Sequence, residues 1–297
     1  MNRKTPDSWI DMTDMTRRRA FAPSHITGFF VPVIRESALE SGSLGAGICL
    51  NDGVVAEVVR DAASIDETRV TLSGEPFHSP PLSDALLELT SEPLQVDLHL
   101  DIPLGAGFGA SGASILAALH AANDALDLNL SHNEITLRAH RAEVAWRTGL
   151  GDVIAQATGG VVLRTREGAP PHGRVTQIPA ENVPVSWAFF QEISTATVLE
   201  DTDAQKRISL TGRSCLKRLI KRPSLENLMI ESRRFTCEVN LASESVIDAI
   251  ESAEARGVVA AQAMLGDTVF AIGEDIFSEY ENSGTSLIDK RGVRGVP

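Results

Sequence analysis

The chain has 297 residues, enough for one large domain or two medium ones. Its 27 Lys+Arg against 40 Asp+Glu leave a net charge of −13, and 43% of residues are hydrophobic with 23% charged. Those values exclude extensive disorder, and they exclude wholesale wrapping of nucleic acid unless a basic patch is segregated. Cys49, Cys215 and Cys237 form no C-x-x-C pair, which argues against a disulfide framework or a structural zinc site. No apolar run reaches the roughly 18–20 residues of a membrane span, and no signal peptide is visible. The chain reads as cytoplasmic.

Residues 1–19 mix five basic and three acidic residues without a period. They read as a poorly ordered leader, with Met15 a candidate start and a targeting arm as the alternative. From Ala20 short apolar runs alternate with turn residues: RAFAP, GFFVPVI, GAGICL, GVVAEVV and TRVTLSG predict β-strands. Asn51-Asp52-Gly53 between two such runs predicts a hairpin turn. VDLHLDI (96–102) alternates, so Val96, Leu98, Leu100 and Ile102 face one side while Asp97, His99 and Asp101 face the other. Two helices follow, one over about Ser111 to Leu126. The other begins at the capping-box sequence Ser131-His132-Asn133-Glu134 and stops near Thr148-Gly149. GGVVLRT (159–165) predicts another strand, and GAPPHG (168–173) a boundary between 20–167 and 174–297, because adjacent prolines suit neither a helix nor a central strand. The second half is helical over about 201–256, with a strand at TVFAI (268–272). No repeat of 20–50 residues occurs. The order predicts an α+β fold of two subdomains.

The chemistry concentrates in DIPLGAGFGASGAS (101–114), where Gly105, Gly107, Gly109 and Gly112 lie between a strand and a helix. Glycines let backbone approach a ligand closely, and free N–H groups at a helix start attract an anion, so the segment predicts a phosphate cradle. Ser111 stands where a hydroxyl could ligate a phosphate-bound magnesium. No Gly-Lys-Ser/Thr follows, which excludes a Walker A loop. Gly107-x-Gly109-x-x-Gly112 matches the dinucleotide fingerprint, but the strand and acid expected about 20 residues later are replaced by a second helix. A glycine turn that only packs a helix on a sheet is the plainer alternative.

P-x-G-x-G-x-G-x-S-G-A after a strand resembles the phosphate loop of the GHMP kinases. Ala22-Pro23 with Gly28, the pattern around Glu143, Gly149-Leu150-Gly151-Asp152 and Gly159-Gly160 extend the resemblance over most of residues 20–275. Within that superfamily FAPSHITGFF, GSLGAGICL, TGLGDVIAQATGG and AMLGDTVFAIG are similar to the archaeal-type pantoate kinases. The resemblance implies a two-subdomain fold: an N-terminal ATP- and magnesium-binding part like ribosomal protein S5 domain 2 over 20–167, and a ferredoxin-like part over 174–297. It implies transfer of the ATP γ-phosphoryl group to the primary hydroxyl of pantoate, in coenzyme A biosynthesis, and it suggests a homodimer. An acceptor of the mevalonate or homoserine type, or a non-catalytic nucleotide-binding module, are the rival functions.

Carried onto this chain, the resemblance places ATP on Pro103, Gly105, Ala106, Gly107, Phe108, Gly109, Ala110, Ser111 and Gly112. It places magnesium on Ser111 and Glu143, and the attacking hydroxyl on Asp152. His25, Arg164 and Thr195 would contact pantoate, Arg164 gripping its carboxylate with two parallel bonds. The chain departs from other members at Ala110, where many have a first serine, and at His25, where mevalonate kinase-like members carry lysine. The segment 263–267 is also glycine-poor for a GHMP kinase. Plainer alternatives exist for each residue: a solvated helix face for Glu143, a helix N-cap for Asp152, an exposed strand position for Arg164, a turn histidine for His25 and a strand threonine for Thr195. Arg166 rivals Arg164 by lying on the same strand face.

Lys206, Arg207, Arg213, Lys217, Arg218, Lys221 and Arg222 fall in 17 residues without an acid. Without interleaved aromatics they read as the solvated face of a helix, with Ile208, Leu210, Leu216, Leu219 and Ile220 at the other positions, rather than a nucleic-acid site.

Overall fold

The computed structural model describes residues 17–60, 66–180, 182–192 and 202–297. Two strands, β1 (Arg17–Val33) and β2 (Gly42–Arg60), form the spine. Both are buried along most of their length, because each is covered on both faces. The remaining strands are β3 (Arg69–Leu72), β4 (Glu75–Pro76), β5 (Leu94–Leu100), β6 (Val161–Arg166), β7 (Arg174–Ile178), β8 (Pro184–Gln191), β9 (Ala260–Gln262), β10 (Asp267–Ile272), β11 (Ser283–Leu287) and β12 (Arg294–Val296). The helices are α1 (Pro80–Leu89), α2 (Ala110–Ala125), α3 (His132–Trp146), α4 (Asp152–Thr158), α5 (Thr202–Lys221), α6 (Leu225–Val239) and α7 (Glu244–Ala255).

Eight strands make the first sheet, in the order β12-β1-β2-β5-β3-β4, with β6 joining β2 beside the first half of that long strand and β7 joining β6. The second sheet has the order β11-β8-β10-β9. This is an α+β fold of two parts, as the sequence predicts. On the first sheet α2 is buried nearly throughout, its run of alanines letting backbones pack closely against the sheet and against α1 and α3. The alternation over β5 holds: Val96 and Leu98 enter that core, and Asp97 and His99 point outward. Ile102 lies past the strand and joins a second core with β1, β2, α5, α6 and the second sheet. The Ser131 capping box also forms, with Glu134 N donating to Ser131 Oγ (3.3 Å) and Ser131 N to Glu134 Oε2 (2.9 Å).

Three expectations are corrected. Asn51-Asp52-Gly53 makes no hairpin: β2 runs through it, and the pairing steps from Pro23–Gly53 to Ser24–Leu50, so Asn51 and Asp52 form a bulge. The bulge docks the second sheet, Asn51 Oδ1 accepting from Leu287 N (2.8 Å) and Asp52 accepting from the Ser286 hydroxyl. The turn 168–173 closes the β6–β7 hairpin within the first sheet, and the chain crosses to the second sheet only at β8. The C-terminal β12 returns to pair with β1, so the first sheet is not built from residues before 168 alone.

The basic run lies on α5. Ile208, Leu216 and Leu219 are buried, but Leu210 and Ile220 are exposed. Arg218 is not simply solvated: its Nε donates to both oxygens of the buried Glu231, at 2.9 and 2.8 Å. Among the described residues no helix is long and apolar enough to cross a membrane.

Phe235 on α6 is fully buried, its ring 6.4 and 6.0 Å from those of Phe29 and Phe30 on β1. Phe235→Ala is therefore expected to cost about 3–5 kcal/mol of unfolding free energy. Urea unfolding of the two proteins measures this, and a loss under about 1 kcal/mol would show that α6 does not support β1.

Candidate active site

After β5 the chain turns through the glycine segment. Gly105, Gly107 and Gly109 all take positive φ (73°, 82° and 66°). Gly107 also has a steric role, since a Cβ there would stand 2.8 Å from Gly266 Cα. Gly109 is the N-cap of α2, and no side chain caps that helix. The N–H groups of the first turn thus have no side-chain acceptor from the cap and remain free for an anion.

This end of α2 opens on a cavity of about 800 Å³. Pro103, Gly105, Gly107, Phe108, Gly109, Ala110 and Ser111 line it, which is seven of the nine residues expected at the nucleotide. The other two support the loop from behind. Ala106 is buried and its carbonyl accepts from Thr268 Oγ1 at 2.7 Å. Gly112 leaves room for Gln156 Oε1 and Glu143 Oε2, which would stand 2.9 and 3.1 Å from a Cβ.

Glu143 is 2% exposed, which corrects the solvated-face alternative. Thr148 Oγ1 donates to its Oε1 at 2.9 Å. Burial, and then the charge of Asp152, push the Glu143 carboxyl up to about 7, while Ser111 and Thr148 pull it down. The Ser111 hydroxyl is close enough to act on Glu143, yet its buried Oγ makes no well-formed hydrogen bond. Gly149 leaves a gap between the two carboxylates: a Cβ there would stand 2.0 Å from Glu143 Oε2 and 3.4 Å from Asp152 Oδ2. An orphaned hydroxyl, a carboxyl held against ionisation and a space bounded by carboxylate oxygens are what a hard cation would satisfy. The described residues contain no group of three or more His, Cys, Asp or Glu able to hold a metal, so phosphate oxygens or water must complete such a shell.

Asp152 is the first residue of α4 rather than its N-cap, which is Gly151. Its Oδ1 lies 2.7 Å from His25 Nδ1. His25 is fully buried on β1, and the other ring nitrogen, Nε2, faces Arg164 Nη1 at 3.4 Å. Burial lowers the imidazole pKa, the Asp152 hydrogen bond and charge oppose that, and Arg164 adds to the lowering. Burial raises Asp152, but His25 and Arg164 outweigh it and hold the carboxyl below its ordinary value. The pair is thus a neutral imidazole donating from Nδ1 to a carboxylate, an assignment set by the partners on either side of the ring. His25 is not among the residues lining the cavity; it meets it through its contacts with Asp152 and Arg164, which are.

Arg164 is 3% exposed, lines the cavity, and has an Nε without a hydrogen-bond partner. Its pairing partner on β2 is Gly45. Burial lowers its pKa and Asp152 resists that shift. The exposed-strand alternative therefore fails for Arg164 but fits its rival. A bulge between Arg164 and Arg166 breaks the alternation, and Arg166 stays exposed outside this cavity. Thr195 lies outside the described residues. Sequence reading missed Thr148, Ser43 and Gln156; the spacing of four from Asp152 to Gln156 on one helix was the available signal for the last.

Residues 82–160 match the family described as GHMP kinases N terminal domain. The pantoate kinase of Methanospirillum hungatei JF-1 is 32% identical over 265 residues, covering 88% of this chain and 89% of that protein. The pantoate kinase of Thermococcus kodakarensis KOD1 is 33% identical, over 91% and 92% of the two chains. The chain belongs to the pantoate kinase family of GHMP kinases. A solved structure described as a phosphotransferase related to the CoA biosynthesis pathway superposes with a TM-score of 0.86 at 26% identity, covering 94% of this chain and 98% of that one. The two-part architecture is thus the GHMP kinase fold, and kinases of this fold use ATP.

The Glu143 environment has a measurable consequence. Below pH 4.5 the group is protonated folded or unfolded; between 4.5 and about 7 only the unfolded chain ionises it, so its contribution to stability falls as pH rises. In chelator-treated protein, Glu143→Gln is expected to remove that fall. Thermal unfolding of both proteins from pH 4.5 to 8 tests it, and parallel profiles would show that Glu143 titrates normally.

Proposed function

We propose that the chain transfers the γ-phosphoryl group of ATP to the primary hydroxyl of pantoate, giving 4-phosphopantoate on a route to coenzyme A. The supporting observation is the row Asp152–His25–Arg164 set beside the uncapped start of α2 on one cavity. A phosphoryl acceptor that also carries a carboxylate needs both an orienting acid and a cation, and this row supplies them.

In this reading residues 103–112 hold the triphosphate, with the N–H groups at the start of α2 on its oxygens. Ser111 and Glu143 would hold magnesium, which would offset the negative charge of the phosphates. Arg164 grips the pantoate carboxylate and fixes which hydroxyl faces the phosphate. Asp152 accepts a hydrogen bond from that hydroxyl, and His25 fixes the carboxylate in place from behind. As the new P–O ester bond forms, the bond from γ-phosphorus to the bridging oxygen breaks and ADP takes its electrons. The hydroxyl proton moves to Asp152 Oδ2 and then to solvent. A carboxyl held below its ordinary pKa is a weak base, so orientation is its larger contribution, as a loose transition state allows.

Asp152→Asn is expected to lower kcat by about 10²–10⁴-fold while ATP binding stays within a factor of about three. Unchanged turnover would remove Asp152 from the mechanism. Arg164→Lys keeps a charge but loses the planar fork, and the KM for pantoate is expected to rise about 10–100-fold. Product formation from pantoate, mevalonate and homoserine, each with ATP and magnesium, tests the acceptor directly; turnover of either rival without pantoate overturns the assignment.

A further inference from the structure

The geometry points to Gln156 as a positioning residue that locks the phosphate loop to the helix carrying Asp152. Nothing in the family resemblance gave Gln156 a role, and the inference rests on the reading of this cavity as the phosphoryl-transfer site.

Gln156 lies one turn after Asp152 on α4 and is fully buried. Its Nε2 donates to the carbonyl of Gly109 at 2.8 Å. The amide orientation follows from the partner, since a carbonyl can only accept. Gly109 O also accepts the first hydrogen bond of α2, from Ala113 N at 3.0 Å. The preceding carbonyl, Phe108 O, accepts from the backbone N–H of His25 at 2.9 Å. Two successive carbonyls of the loop are thus anchored by two residues tied to Asp152: His25, whose ring holds its carboxylate, and Gln156, its neighbour one turn along the helix.

The anchoring determines where the loop's donors point. In a trans peptide the C=O and N–H lie on opposite sides. Fixing Phe108 O on His25 turns the N–H of Gly109 the other way, and fixing Gly109 O on Gln156 does the same for Ala110. Gly109 and Ala110 both line the cavity. One side-chain amide therefore sets the aim of a phosphate donor and the separation between that donor and Asp152. The contact is tight: a Cβ on Gly109 would stand 2.9 Å from Gln156 Nε2 and 3.1 Å from Asp152 Cβ. Gln156 is in turn held by its own backbone, whose carbonyl accepts from Val293 N at 3.0 Å. Transfer between two bound groups depends steeply on their alignment, so loosening this tie should affect turnover more than binding.

The test compares Gln156→Met, which keeps the shape and lacks the donor, with Gln156→Glu. Wild-type turnover of pantoate is established first; its absence would defeat the function proposed above and not the role of Gln156. For Gln156→Met we expect kcat to fall about 10–100-fold, with KM for pantoate within a factor of about three and an unfolding midpoint near wild type. Gln156→Glu can donate to Gly109 O only when protonated, so its kcat relative to wild type should fall as pH rises. Binding of a non-hydrolysable ATP analogue needs no acceptor, and for Gln156→Met it should weaken about 2–10-fold. Wild-type kcat in Gln156→Met, a pH profile for Gln156→Glu parallel to wild type, or unchanged analogue binding would each overturn the inference. A joint loss of kcat, acceptor affinity and thermal stability would also overturn it, since that pattern marks a merely structural glutamine.

Discussion

The hydrogen bond from His25 Nδ1 to Asp152 Oδ1 is the contact on which the site depends. It joins a strand of the first sheet to the start of a seven-residue helix that has no side-chain cap. His25 is sealed from water, so its ring cannot exchange this partner for solvent, and a buried polar group without a partner costs about 1–3 kcal/mol. The same ring faces Arg164 with its other nitrogen. A neutral imidazole thus bonds to a carboxylate on one side and faces a guanidinium on the other, and keeps them a fixed distance apart. Direct contact between the two would form an ion pair and spend the arginine on the aspartate. The spacer leaves Arg164 with an unpaired Nε in the wall of the cavity.

Around this row, space matters as much as contact. At Gly151 a Cβ would stand 2.3 Å from Ser43 Oγ and 2.8 Å from Arg164 Nε, and at Gly47 it would stand 2.3 Å from His25 Nε2. Neither glycine has a positive φ, so neither is required by its backbone angles. They are small because charged and aromatic side chains pass through the volume a Cβ would fill. Gly149 acts the same way between Glu143 and Asp152. The glycines of this site therefore divide into those that shape the backbone, as in the phosphate loop, and those that admit a functional side chain.

That division explains what the sequence made legible. The conformation of the glycine loop was readable because its requirement is local: a strand, a left-handed turn and an uncapped helix start follow one another in the chain. The alternation in β5 and the Ser131 capping box were legible for the same reason. Asn51-Asp52-Gly53 misled because its local preference for a turn yielded to the long pairing of β1 with β2, where two extra residues became a bulge carrying contacts to β11. The turn at 168–173 was legible as a turn, but whether the next strand stays in the sheet is decided by pairing partners far away. His25 was recognised as important, but its partnership with Asp152 was not legible, since that contact arises from tertiary packing across 127 residues of sequence. Gln156, although one turn from Asp152, was missed for a related reason: its partner is a backbone carbonyl 47 residues earlier.

The charge of the site also departs from that of the chain. A net charge of −13 should repel both a nucleotide and a carboxylate, yet the cavity does not share it. Asp152 is ionised and Arg164 offsets it. Glu143, pushed up to about 7 by burial and by the charge of Asp152, is largely uncharged below neutral pH. The corner formed by Ser111 and Glu143 thus adds little negative charge to the cavity below neutral pH. In the proposed reading, a cation held there with the phosphates would favour the ionised carboxylate, so the anionic ligand and its counter-charge would be received together. In that reading, burial of Glu143, a cost for a residue proposed to ligate a metal, limits the negative charge an acidic protein presents to polyphosphate.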